Sequence, residues 1–272
     1  MTNPPQPAIP AAGPDGSAAG FSTLRVTEGP DRLAVQLDRP EVRNAIDSVM
    51  VDELHAVCAA LERHPRILIL SGTEAGGKGV FASGADIAQL RERRREDALA
   101  GINSGLFARI AALPMPVIAA LDGYALGGGA ELAYAADFRL GTPRLKIGQP
   151  EAGLGIMAAA GATWRLKELV GEPLAKEMLL AGRILDAEEA LAARLVTALH
   201  EPEDLLPAAH ALADRIGAGD PLAVRLTKSA FGAPRAAHPL IDNLAQSILF
   251  ESDAKFERMQ AFLDRKESRR DR

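Results

Sequence analysis

Through roughly the first two hundred residues, short apolar runs with the period of strands trade places with stretches of helical spacing. Beyond them only the helical spacing persists. The first ordered element is expected over 21–28, followed by a turn at Gly29-Pro30. Leu33, Val35 and Leu37 then alternate with polar neighbours, as in a strand with one buried face. Arg39-Pro40 ends it. Asn44 or Asp47 is placed to cap a helix running to about Arg63, and the stripe Met50, Leu54, Val57, Cys58 and Leu61 predicts a buried thiol. The continuous run over 66–70 predicts a strand covered on both faces. A loop over 71–79 follows, then Val80-Phe81, then a helix that continues through the charged run 91–97, read as a solvated face. A second helix is expected over 102–113. Short strands are expected at 138–140 and 145–147, and a helix that closes at Gly171. Helices near 173–180 and 186–193 and a strand over 195–199 follow, then helices over 204–216, 221–230, 239–250 and 252–267. This succession predicts an α/β core over 21–201 and an all-helical region over 202–272. Residues 1–20, rich in Pro, Ala and Gly without periodicity, read as a disordered lead, with neither the basic start nor the apolar core of a secretory signal.

One stretch stands apart from that alternation: residues 119–137, AALDGYALGGGAELAYAAD. Glycines at 123, 127, 128 and 129 separate the apolar run 117–121 from a helical segment. Glycine at this density permits sharp turns and close approach, because no Cβ stands in the way. The first-turn N–H groups of the following helix have no partners within it and favour negative charge. Glu131 lies two residues past the last glycine, so a carboxylate shares that turn with those donors. The combination suits a site where an oxyanion develops while a proton moves. A tight strand-to-helix crossing, with glycines for packing alone, accounts for the same residues.

Composition narrows the classes. Hydrophobic residues make up 47% of the chain, ample for a core. A net charge of −5 and a pI near 5.6 speak against a nucleic-acid surface. No apolar run approaches the roughly 18 residues of a membrane span, and with a single cysteine the expected location is cytoplasmic. Residues 72–78 fit Gly-x4-Gly-Lys, but Gly79 stands where a phosphate-binding loop places its magnesium-binding hydroxyl. His55, His64, His200, His210 and His238 have no metal-ligand spacing, so no metal is expected. Ser83 has neither a nucleophile elbow nor local partners for a triad.

Three pieces remain. Phe81-Ala82-Ser83-Gly84-Ala85-Asp86 precedes one helix, Gly127-Gly128-Gly129-Ala130-Glu131 opens another, and Gly148-Gln149-Pro150-Glu151 supplies a second carboxylate about twenty residues on. In this order and spacing the chain resembles the crotonase family, the enoyl-CoA hydratase/isomerase superfamily, from about Phe21 to its end. Residues 38–45 (DRPEVRNA) are similar to that family's early CoA-side loop, and 250–266 to its C-terminal helix. The resemblance implies a crotonase-like (ClpP/crotonase) α/β spiral of ββα units, with C-terminal helices that form a homotrimer and pair trimers into a hexamer. It implies an enoyl-CoA hydratase that adds water to a trans-2-enoyl-CoA thioester. The N–H groups of Ala85 and Gly128 would hold the thioester oxygen, Glu131 would activate the water and Glu151 would serve the α carbon. Contacts to CoA are implied at Arg43, Ala45, Ala85, Asp86, Ile87 and Arg265. No cofactor beyond the substrate's own CoA is implied, and no nucleic-acid or membrane partner.

One departure and two competing readings follow from the resemblance. Hydratases usually carry Pro-Gly-Ala-Gly-Gly after the second carboxylate, where this chain has Ala158-Ala159-Ala160-Gly161-Ala162. The added methyl groups are expected to narrow the space beside Glu151, and Trp164 is expected in the core nearby. An enoyl-CoA isomerase or acyl-CoA hydrolase would share the oxyanion hole but typically need one carboxylate. A non-catalytic CoA-binding protein would need neither, so retention of both favours the hydratase.

Overall fold

The computed structural model describes residues 20–270, and the expected lead lies outside the described residues but for Gly20. The chain forms two compact units, one ending at Asp214 and the other beginning at Arg215.

In the first unit, β1 (Leu24–Glu28) and β2 (Arg32–Leu37) pair antiparallel with Val26 opposite Val35, and the alternation of Leu33, Val35 and Leu37 puts all three inside. Arg43 and Asn44 both hold left-handed backbone, φ 54°, which asparagine tolerates better than most residues. The buried Asn44 amide donates to the Val80 and Phe81 carbonyls at 3.0 and 3.1 Å and ties this turn to a strand entering the site. Asp47 is the cap: it accepts from the Met50 N–H at 2.8 Å and starts α1 (Ser48–Arg63), whose apolar stripe, Cys58 included, is buried. β3 (Ile67–Ser71) is buried along its whole length.

The expected loop over 71–79 is instead a hairpin, β4 (Thr73–Ala75) and β5 (Lys78–Ala82), turning through Gly76 and Gly77 at positive φ. Three residues of β4 are too few to display a period. The expected single helix through 91–97 is two, α2 (Ile87–Glu92) and α3 (Arg95–Ala100). Arg93 and Arg94 between them are extended, and Asp97 accepts from the Arg94 N–H at 2.8 Å, which restarts the helix. α4 (Ile102–Ala111) follows Gly101, then β6 (Val117–Leu121), β7 (Tyr124–Leu126), α5 (Gly128–Tyr134), β8 (Phe138–Gly141) and β9 (Lys146–Gly148). α6 (Ala162–Val170), α7 (Glu172–Ala181), β10 (Ile184–Asp186), α8 (Ala187–Ala192), β11 (Ala198–Leu199) and α9 (Pro202–Gly217) complete the sequence to the division between units. β7 and β10, three residues each, are absent from the sequence expectation.

The strands form two sheets, ordered β1-β2-β3-β6-β8-β11 and β10-β9-β7-β5-β4. From β3 onward the chain adds a strand to the first sheet, then to the second, then a helix, and repeats: β6, β7, α5 and then β8, β9, α6. β5, β7 and β9 lie side by side and parallel, so their C-terminal ends emerge together. The residues that follow those ends are Ser83-Gly84-Ala85, Gly127-Gly128 and Gln149-Pro150-Glu151. Loops past the carboxyl ends of parallel strands are where an α/β sheet gathers a site.

The second unit holds α10 (Pro221–Phe231), α11 (Leu240–Phe250) and α12 (Asp253–Arg270). Asp220 caps α10 by accepting from the Ala223 N–H at 2.8 Å. Leu240, Leu244 and Ile248 of α11 are exposed. Among the described residues no helix is long and apolar enough to cross a membrane.

Candidate active site

β5 runs into Ser83-Gly84-Ala85, which the turn after β2 holds from one side. Ser83 donates its N–H to the Arg43 carbonyl at 3.0 Å, Ile46 donates to the Gly84 carbonyl at 2.8 Å, and Asp86 donates to the Ile46 carbonyl at 2.9 Å. The Ala85 N–H is left out of this ladder. Asp86 then caps α2 by accepting from the N–H groups of Ala88 and Gln89 at 3.0 and 3.1 Å. At the end of the neighbouring strand, Gly127 donates to the Gly148 carbonyl at 2.9 Å and, at φ 51°, turns β7 into α5. A Cβ at Gly128 would lie 3.4 Å from the Ala85 nitrogen, so the two N–H groups face one small space. Neither donates to another group among the described residues.

The carboxylates border the same space. A Cβ at Gly127 would come within 2.8 Å of Glu151 Oε1, so the carboxylate packs directly against a turn that has no side chain. Glu131, on the first turn of α5, is 3% exposed. Its Oε1 accepts from the N–H groups of Ala160 and Ala162 at 2.7 and 3.0 Å. The alanine-rich turn therefore serves Glu131 directly, where the sequence reading set its methyl groups beside Glu151. Gln149 is 1% exposed. A carboxylate only accepts, so the amide nitrogen of Gln149 faces it and donates to both Glu151 oxygens at 2.9 Å. Burial pushes the Glu131 carboxyl up to about 7, opposed by the two alanine N–H donors and reinforced by the charge of Glu151. Burial raises Glu151 as well. Both carboxyls are thus shifted toward the protonated form, chiefly by desolvation.

Ala85, Gly128, Glu131 and Glu151 line one cavity of about 470 Å³, together with Ala159 and Ala160. Ile87 is also on its wall. Arg43, Ala45 and Asp86 are not, and Arg265 is an exposed residue of α12 in the second unit. Arg93, Arg94 and Asp97 line the cavity where the helix breaks, so the charged run is not merely a solvated face. Asn103 lines it too, and sequence reasoning missed it. It shares a helical stripe with Leu106, Phe107 and Ile110 and is buried with them, and a polar residue on an apolar stripe was the signal available. Trp164 is not in the core. It is 48% exposed, with the Arg165 guanidinium 3.9 Å from the centre of its ring, while Ala162 and Leu166, one turn apart, take the buried side of α6.

The family model for enoyl-CoA hydratase/isomerase matches residues 32–270. A protein of Syntrophomonas wolfei named crotonyl-CoA hydratase is 36% identical over 89% of this chain and 96% of its own length. A short-chain-enoyl-CoA hydratase of Clostridium acetobutylicum is 37% identical, covering 81% of this chain and 83% of its own. Among solved structures, an enoyl-CoA hydratase from Bacillus anthracis superposes with a TM-score of 0.84 at 29% identity, over 90% of this chain and 97% of that one.

Proposed function

Since the chain belongs to the enoyl-CoA hydratase/isomerase family and has the crotonase-like fold, we propose that it adds water across the double bond of a trans-2-enoyl-CoA to give a 3-hydroxyacyl-CoA. It is an enzyme of the enoyl-CoA hydratase type. The observation that carries the specific reaction is the pairing of two buried carboxyls, both raised in pKa, with two unengaged backbone donors in one cavity.

The thioester carbonyl oxygen accepts from the N–H groups of Ala85 and Gly128. As the nucleophile adds at the β carbon, electron density moves through the α carbon onto that oxygen, and donors already in place stabilise the charge without reorganising. Glu131, ionised, takes a proton from water as its oxygen bonds to the β carbon. Glu151, protonated, gives a proton to the α carbon. A proton then returns from Glu131 to Glu151, and the site is reset with no group beyond these side chains and the substrate. The two alanine N–H bonds to Glu131 favour its ionised form, which fits the base role. Arg43, Ala45, Ala85, Asp86, Ile87 and Arg265 bind the CoA portion, and the working assembly is a homotrimer or a hexamer of paired trimers.

Loss of the enoyl-thioester absorbance on mixing with crotonyl-CoA is the expected result and tests the proposal. Unchanged absorbance, together with conversion of a 3-enoyl-CoA to the 2-enoyl isomer or release of free CoA, would replace hydration by isomerisation or thioester hydrolysis.

A further inference from the structure

Asn103 on α4 is 9% exposed, and its amide is ordered from behind. Arg93, in the break between α2 and α3, donates from Nη1 to Asn103 Oδ1 at 3.1 Å. A guanidinium has no acceptor, so the atom facing it must be the oxygen, and Nδ2 is turned the other way. That direction is the oxyanion corner. The point a Cβ would occupy at Gly128 lies 3.7 Å from Asn103 Nδ2 and 3.4 Å from the Ala85 nitrogen. Nδ2 donates to no acceptor among the described residues, and Asn103 lines the cavity. Only a molecule entering the cavity brings an acceptor to that point.

We propose that Asn103 is a third donor to the thioester carbonyl oxygen, beside the N–H groups of Ala85 and Gly128, and that Arg93 is a positioning residue that fixes the sense of its amide. This rests on the hydratase reading of the cavity. A hydrogen bond to an oxyanion is stronger than one to a neutral carbonyl. The contact therefore tightens as charge builds and belongs mainly to the transition state, so its removal lowers kcat more than it raises KM. Arg93 contributes through Asn103, so once the amide is gone its replacement has little further effect on kcat.

The test uses the full chain. With crotonyl-CoA, N103L is expected to lower kcat about 10- to 100-fold, somewhat less than the 10²–10³ typical of a lost oxyanion-hole donor, with KM within about threefold. N103D keeps the contact with Arg93 but puts an acceptor where the donor stood, and is expected to fall below N103L. R93L should lower kcat in the wild-type background and barely alter it in N103L. A purely structural Asn103 predicts a lower Tm and a raised KM with kcat intact. A second readout needs no turnover: the infrared carbonyl band of carbonyl-labelled butyryl-CoA, bound and unreactive, should lie at lower frequency in wild type than in N103L. Coincident bands, or a kcat for N103L within twofold of wild type, overturn the inference. A wild type that shifts the band but does not hydrate crotonyl-CoA overturns the hydratase reading and leaves the third donor standing.

Discussion

Glu131 is held by two opposing effects, and the balance sets both its chemistry and its cost. Burial makes its charge expensive, while the Ala160 and Ala162 N–H groups make it affordable only in part, so its carboxyl rises from 4.5 to about 7. A folded-state pKa above the unfolded one means that folding takes up a proton between those limits. The stability it contributes is present in full below about 4.5 and is lost as pH rises through about 7. Glu131→Gln removes the buried charge and keeps an oxygen for both alanine donors. The variant is therefore expected to melt higher than wild type at about pH 8 and alike near the lower limit, checked by thermal denaturation at both values. An equal gain at both would mean that charge is not the cause. The same substitution is expected to lower kcat for hydration by about 10²–10⁴, as is Glu151→Gln, the usual range for a lost general acid or base. The double variant should be little worse than the worse single one, because the two groups serve one turnover. In an isomerase Glu151 alone would shuttle the proton, and Glu131→Gln would keep its full rate on the 3-enoyl substrate.

Elements fix where these residues meet, and the three glycines that open α5 divide that work. A Cβ at Gly129 would lie 2.3 Å from the Ala82 carbonyl oxygen, an overlap with backbone that nothing nearby relieves. At Gly128 the closest atom would be 3.4 Å away, ordinary contact, but the methyl would fill the space between the donors. Gly129→Ala is thus expected to cost about 1–3 kcal/mol or more in stability through overpacking. Gly128→Ala should keep its Tm while losing about 10²–10³ in kcat; melting curves and kinetics on the pair separate the roles, and an active Gly128→Ala would vacate the oxyanion hole. Packing and site, both admissible from the sequence, are thus each expected for a different glycine, and the pair of variants tests the division. Periodicity revealed β2, the α1 stripe, β3 and the late helices because each spans enough residues to show a face. It failed on β4, β7 and β10, whose three residues are fixed by neighbours in the second sheet rather than by any local pattern. The cavity lining was legible where it sits in contiguous motifs at the ends of β5, β7 and β9. It was not legible in Arg93, which lines the cavity at the break between Glu92 and Arg95, of which a run of charges gives no sign, nor in Asn103, a single polar residue on the apolar stripe of α4.

The whole molecule adds one requirement that the cavity by itself does not make. Leu240, Leu244 and Ile248 repeat every fourth residue along α11 and are 65%, 58% and 53% exposed, an apolar stripe on one face of a helix. Stripes of this kind mark contact with a partner, and copies of the same chain are the partner that the family resemblance implies. The expected mass in sedimentation is three or six times 28.7 kDa. Leu244→Asp with Ile248→Asp should bring it down toward a single chain, because each carboxylate would be buried without a counter-charge at the seam. Deletion from Pro202 is a blunter experiment. It also removes Leu205, Ala209 and Ala213, buried residues of α9 within the first unit, so aggregated and inactive protein is expected whatever the assembly. The point variants discriminate better, since every residue lining the cavity lies between Ser83 and Ala160 in the first unit. If assembly serves the chemistry only through the CoA contact proposed for Arg265, the dissociated variant keeps kcat and raises KM for crotonyl-CoA. Loss of kcat with the cavity's own residues untouched would instead mean that association shapes the cavity. A wild type that sediments as a single chain would remove the trimer altogether.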